Sequence, residues 1–157
     1  MTTKSLSAAQ YILEKSREMG CTSLTPMHLI KLAYVAHGWM LGIYGRPLLD
    51  EDVQAWQYGP VVPSIYHRLK GFRSAPVPAV PQAQPGYPFS AQERQILDYV
   101  ATQYSRFPAT ALSAATHQPG TPWSLTWSRE GKNAPISNDV IAGFYASLRG
   151  QTTFSAL

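Results

Sequence analysis

The residue types that could carry chemistry are few in this chain of 157 residues. His28, His37, His67, His117 and the one cysteine, Cys21, are the candidates for a metal site or a nucleophile. His28 and His37 fall nine positions apart on one helical stretch, more than two turns, so they cannot share an ion. His67 and His117 can meet only through folding, and no His-x-x-x-His or Cys-x-x-Cys pair occurs. No metal site is therefore expected. One thiol makes no internal disulfide, and Cys21, just after a glycine helix stop, reads as a buried small hydrophobe rather than a nucleophile. Asp50, Glu51 and Asp52 form a carboxylate cluster. Adjacent carboxylates in a tight turn more often solvate the turn than bind metal or do acid–base work. The sequence contains neither a Gly-rich phosphate loop nor a Gly-x-Ser-x-Gly nucleophile turn. No catalytic residue and no cofactor is assigned, and the chain reads as a binding protein rather than an enzyme.

Binding instead directs attention to aromatic and guanidinium side chains, which dominate the energetics of protein interfaces. Tyr58, Tyr66 and Arg68 are candidates on that ground. Trp56 reads first as a plug between strands and helix, and second as a partner contact. His117, at the end of a short helix, is suited to bond a last-turn carbonyl. His37, inside an apolar helix, reads as a core histidine with its hydrogen bonds satisfied.

Composition narrows the partners. The net charge of +4 comes from thirteen Lys and Arg against nine Asp and Glu. The basic residues are scattered, with no run of five and no stripe along a helix, so nucleic acid is not the expected partner and an acidic protein is at least as good a candidate. Met1 to Gln10 lacks the apolar core of a signal peptide. The apolar stretch Leu29 to Tyr44 is broken by Lys31, His37 and Gly38 and is too short to span a bilayer. A cytoplasmic protein is expected, with no membrane partner.

The elements that must position these residues are mostly helical. Ser5 or Ser7 is predicted to cap a first helix running to Met19, with Gly20 as its stop. Thr25 and Pro26 open a second helix at the cap and first-turn positions. From Leu29 to Tyr44 it is apolar almost all round, which marks the centre of a core. Arg46 to Leu49 and Val53 to Gln57 read as two short strands or extended arms about the acidic turn, and Tyr58-Gly59-Pro60 as a sharp turn. Pro63 opens a third helix through Leu69. Five prolines between Ser74 and Pro88 rule out helix and sheet there and predict a semi-rigid loop within residues 1–157, taken as one domain. Ser90 and Glu93 form a capping box ahead of Ile96, Leu97, Val100 and Tyr104. Short helices follow from Pro108 and Pro122, the latter carrying Trp123 and Trp127. Ser137 or Asn138 caps a last helix with Val140, Ile141, Phe144, Tyr145 and Leu148 on its buried face, and Gly150 ends it. The expected fold is mainly α: six or seven helices with a small two-stranded β element.

Three segments carry a family resemblance. Leu29 to Trp39 (LIKLAYVAHGW) is the first. Tyr44 to Leu48, continuing into Ala55 to Pro63 (AWQYGPVVP), is the second and most specific. Leu112-Ser113, Thr116-His117 and Pro122-Trp123 make the third. Together they resemble the Panacea domain of SocA-like, phage-associated prokaryotic antitoxins, over about Ser5 to Leu148. The resemblance implies an antitoxin that neutralises a cognate toxin by direct binding. A proteolytic adaptor that delivers the toxin to a protease, or a phage-associated enzyme of unknown chemistry, are the alternatives. It brings no cleavage, metal or nucleotide motif, and the proline-rich loop looks like an insertion. Mapped onto this chain, the partner surface is expected to draw on Trp56, Tyr58, Pro60, Tyr66, Arg68, His117 and Trp123.

Overall fold

A computed structural model describes residues 4–149. The elements in chain order are α1 (Lys4–Glu18), α2 (Pro26–Tyr44), β1 (Val53–Trp56), β2 (Gly59–Val61), α3 (Pro63–Leu69), α4 (Ala91–Tyr104), α5 (Ala109–Thr116), α6 (Pro122–Glu130), β3 (Ala134–Ile136) and α7 (Asn138–Arg149). A single 3-10 turn, Lys70–Phe72, follows α3. The fold is mainly α, as the patterning predicts. The predicted stop at Gly150 lies outside the described residues.

Helix α2 is the axis of the core. Every residue from Leu29 to Leu41 is buried, because α1, α3, α4, α5, α7 and β2 all pack on it. Its start follows the predicted chemistry, with Thr25 at the cap and Pro26 in the first turn, but the capping box is closed by His28 rather than by a carboxylate. The Thr25 amide donates to His28 Nδ1 at 3.1 Å. That bond makes Nδ1 the acceptor, so Nε2 bears the proton and donates to the Phe107 carbonyl at 3.0 Å. His28 thus staples α2 to the segment before α5, and burial lowers its pKa.

The most extensive helix–helix packing is that of α2 with α7. Gly38 and Gly42, one turn apart, give up their side chains to Tyr145. A Cβ on Gly38 would overlap the Tyr145 ring, and one on Gly42 would lie 2.9 Å from the Ala146 backbone nitrogen. The cluster of buried side chains runs from Leu6 to Leu148 and includes Val77, Val80 and Phe89 of the proline-rich segment. That segment is strapped onto α1. The Val77 amide donates to Leu24 O at 2.8 Å, the Val80 amide to Gln10 Oε1 at 2.8 Å and the Gln84 amide to Ser7 Oγ at 2.9 Å.

Three predicted features need correction. Ser5 and Ser7 do not cap α1; they are buried within it, and Ser7 serves the strap instead. Arg46 to Leu49 is not a strand. Leu48 and Leu49 are buried and the Leu49 amide donates to His37 Nδ1 at 3.1 Å, which ties the segment to α2 in irregular form. The sheet has three strands, not two, in the antiparallel order β2-β1-β3. Its hairpin pairs Trp56 with Gly59, so the turn is Gln57-Tyr58, and Gly59 and Pro60 belong to β2. Proline is tolerated there because β2 is an edge strand.

Candidate protein-binding surface

The hairpin β1-β2 is held from below and from the side. Lys31 on α2, 1 % exposed, donates through Nζ to Pro60 O at 2.8 Å and to Tyr58 O at 3.3 Å. Ser113 on α5 donates through Oγ to the same Tyr58 carbonyl at 3.0 Å. Gly59 lies directly over the amine. Its φ of +117° disfavours any side chain, and a Cβ there would lie 2.9 Å from Lys31 Nζ. Among the described residues no carboxylate pairs with Lys31, and burial lowers its pKa to about 7.

The tip of the hairpin is therefore fixed while its side chain is free. Tyr58 is 66 % exposed, more than any other large hydrophobic side chain among the described residues. Two further links brace the hairpin beside its turn. The Trp123 indole N–H donates to Trp56 O at 2.6 Å, and its ring stacks on Trp127 at 5.3 Å. His117 meets Trp123 edge-on at 5.0 Å and donates through Nδ1 to Ser113 O at 2.7 Å, which is the helix-end role expected of it.

Strand alternation settles Trp56. Val53 and Ala55 point into the core, whereas Gln54 and Trp56 face outward and are half-buried. From this half-buried position Trp56 packs against the edge of the core, between β1 and α3: its ring meets Tyr66 edge-on at 4.8 Å and lies near His67 at 6.3 Å. Arg68 is half-buried on α3. Pro60 and Trp123 are buried, so they shape this surface from beneath through their packing and backbone contacts. The structure thus brings Trp56 together with Tyr66, and Tyr58 together with His117 and Trp123 through the shared frame of Ser113 and Trp56 O.

Sequence reasoning missed Lys31 as the support of the hairpin. The signal was one basic residue inside a helix apolar on all sides, since a lysine buried there must find acceptors. The reading of His37 holds: it is fully buried, accepts from the Leu49 amide and bonds Asn138 Oδ1 at 3.0 Å through Nε2. Cys21 is only half-buried, with its sulfur 3.6 Å from Ser105 O. Glu51 accepts from the Ser64 amide at 3.0 Å and from its hydroxyl, so one of the clustered carboxylates caps the start of α3. Among the described residues no group of three His, Cys, Asp or Glu is placed to hold a metal, and no helix is long and apolar enough to cross a membrane.

The Antitoxin SocA of Caulobacter vibrioides is 26% identical over 136 residues, covering 80% of this chain and 71% of that protein. No solved structure matches. The family model for the antitoxin SocA-like Panacea domain matches residues 29–124, which run from the core of α2 through the hairpin to Trp123. The chain belongs to the SocA-like Panacea-domain family.

Proposed function

We propose that this protein is the antitoxin of a toxin–antitoxin pair and neutralises its toxin by direct binding through the hairpin surface. The observation that carries the reading is Tyr58: a 66 % exposed aromatic on a turn whose backbone is already fixed by Lys31 and Ser113. Ordering such a loop on binding costs free energy, and a turn held in place beforehand avoids that cost. The half-buried pair Trp56 and Tyr66 adds the residue types that dominate interfaces. Family membership supports an antitoxin role, and the name of the Caulobacter relative supports it further. The interior histidines are occupied by structural bonds, which supports a non-enzymatic regulator.

The test is co-expression with the product of the neighbouring gene. Growth rescue with copurification of the two proteins supports neutralisation in a stable complex. Rescue with loss of the neighbour's protein supports the adaptor reading, in which a protease consumes the toxin. A neighbour that is harmless alone and does not bind sinks both. Within a stable complex, Tyr58→Ala is expected to weaken binding by about 10- to 30-fold, a hot-spot loss. The melting temperature should stay unchanged because the side chain is exposed. Equal affinity for wild type and Tyr58→Ala would remove the hairpin from the interface.

A further inference from the structure

Beside Tyr58 the surface opens into a cleft of about 460 Å³ between the hairpin tip, the start of α2, the segment after α3 and the outer face of α5. Its walls are the methyl and methylene groups of Met27, Thr110, Ala109 and Ala114, with Tyr58 at one side and Arg73 at the rim. Side chains this small leave room for an incoming one rather than filling the space themselves. The mouth is open to solvent, since Tyr58, Arg73, Thr110 and Ala114 are all exposed.

Charge selects the occupant. No Asp or Glu lines the cleft, and Arg73 stands at its rim. All nine acidic residues lie elsewhere in the chain. Several of those are engaged, as with Glu93 bound to Lys4 at 2.6 Å and Glu51 to Ser64. A cleft with apolar walls and a single cation, Arg73, at its rim attracts an apolar group flanked by a carboxylate. The apolar lining fits an amino-acid side chain. A nucleic-acid strand would need basic groups along a track, and Arg73 is the one cation lining this cleft.

Resting on the antitoxin reading, we infer that this cleft receives an apolar side chain of the toxin, presented on a segment with Asp or Glu beside it. Tyr58 forms one wall against that side chain, and Arg73 meets the carboxylates.

The experiment uses the full chain and the product of the neighbouring gene, with affinity measured at about 50 and 300 mM salt. Ala114→Trp fills the cleft from an exposed helix position, and Arg73→Glu reverses the rim charge. Gln95→Glu on the exposed face of α4 is the control. The expected result is at least a 30-fold loss for Ala114→Trp, and about a 10-fold loss for Arg73→Glu that shrinks at the higher salt. Gln95→Glu should bind like wild type, with melting temperatures matched throughout. A toxin that binds wild type and Ala114→Trp equally overturns the cleft assignment and leaves the antitoxin reading standing. Loss with Ala114→Trp but none with Arg73→Glu at either salt overturns the acidic flank. A neighbour product that does not bind wild type overturns both the inference and the reading beneath it. Binding of an RNA or DNA duplex that Ala114→Trp abolishes overturns the choice of a protein occupant.

Discussion

Burying an amine without a carboxylate costs free energy that only hydrogen bonds return. At Lys31 they come from two main-chain carbonyls of the hairpin, Pro60 O and Tyr58 O. The consequence is measurable through pH. Burial lowers the Lys31 pKa from 10.5 to about 7, so between those values the unfolded chain binds more protons than the folded one. Stability therefore rises with pH across that window. At about 1.4 kcal/mol per unit, the rise is on the order of a few kcal/mol. The lowered pKa values of His28 and His37 act below 6.5, and the raised pKa values of the buried tyrosines act above 10. Lys31 can thus be read between about pH 7 and 9.5. Urea unfolding should show wild-type stability climbing over this range and a flat profile for Lys31→Met. Equal slopes would mean that Lys31 stays charged in the fold. Lys31→Met should also loosen Tyr58, since only Ser113 then holds its carbonyl, and so weaken toxin binding without touching the interface.

At the scale of elements, the packing of α7 on α2 depends on what two glycines lack. Alanine favours a helix over glycine by about 1 kcal/mol, so propensity alone makes Gly42→Ala stabilising. The structure reverses the sign. A Cβ at Gly42 meets the Tyr145 Cβ at 2.7 Å and the Ala146 backbone nitrogen at 2.9 Å, and backbone cannot turn aside as a side-chain tip can. Overpacking of this kind costs about 1–3 kcal/mol, so a net loss of about 1–2 kcal/mol is expected. A gain in the urea midpoint for Gly42→Ala would show that α7 can shift freely. In the sequence these glycines read only as breaks in an apolar run, because their role depends on a helix about a hundred residues away. The sheet shows the same limit. Helices were legible where their signals are local: Thr25 and Pro26, Ser90 and Glu93, Pro122. Strand β3 was not, since Ala134-Pro135-Ile136 has no strand pattern of its own. It is extended because β1 pairs with it, through bonds such as Asn133 N to Ala55 O at 2.7 Å. The hairpin was misplaced by the acidic residues at 50–52, which mimic a turn, while the real turn at Gln57-Tyr58 is marked only by Gly59.

For the molecule as a whole, the proline-rich segment decides whether the two halves of the chain fold together. Its prolines correctly ruled out helix and sheet, but composition cannot say whether such a segment hangs free or packs. Here Val77 and Val80, 2 % and 5 % exposed, reach the core. Arg17 clasps the strap through the carbonyls of Val77 and Pro78. The strap thus joins α1, from the first half, to Phe89 at the threshold of α4. Phe89 itself packs edge-on against Tyr11 of α1 at 5.9 Å. Residues on both sides of the segment contribute to one buried cluster, so neither side is expected to keep a core once the other opens. Unfolding is expected to be a single transition, with far-ultraviolet circular dichroism and tryptophan fluorescence coincident in urea. Val77→Ala with Val80→Ala should lower the stability by about 2–4 kcal/mol in total and shift both signals together. If the strap were a passive linker, the double variant would leave the midpoint unchanged. If the halves were independent, the two probes would separate. The coincident shift is the outcome that one core, closed by the strap, requires.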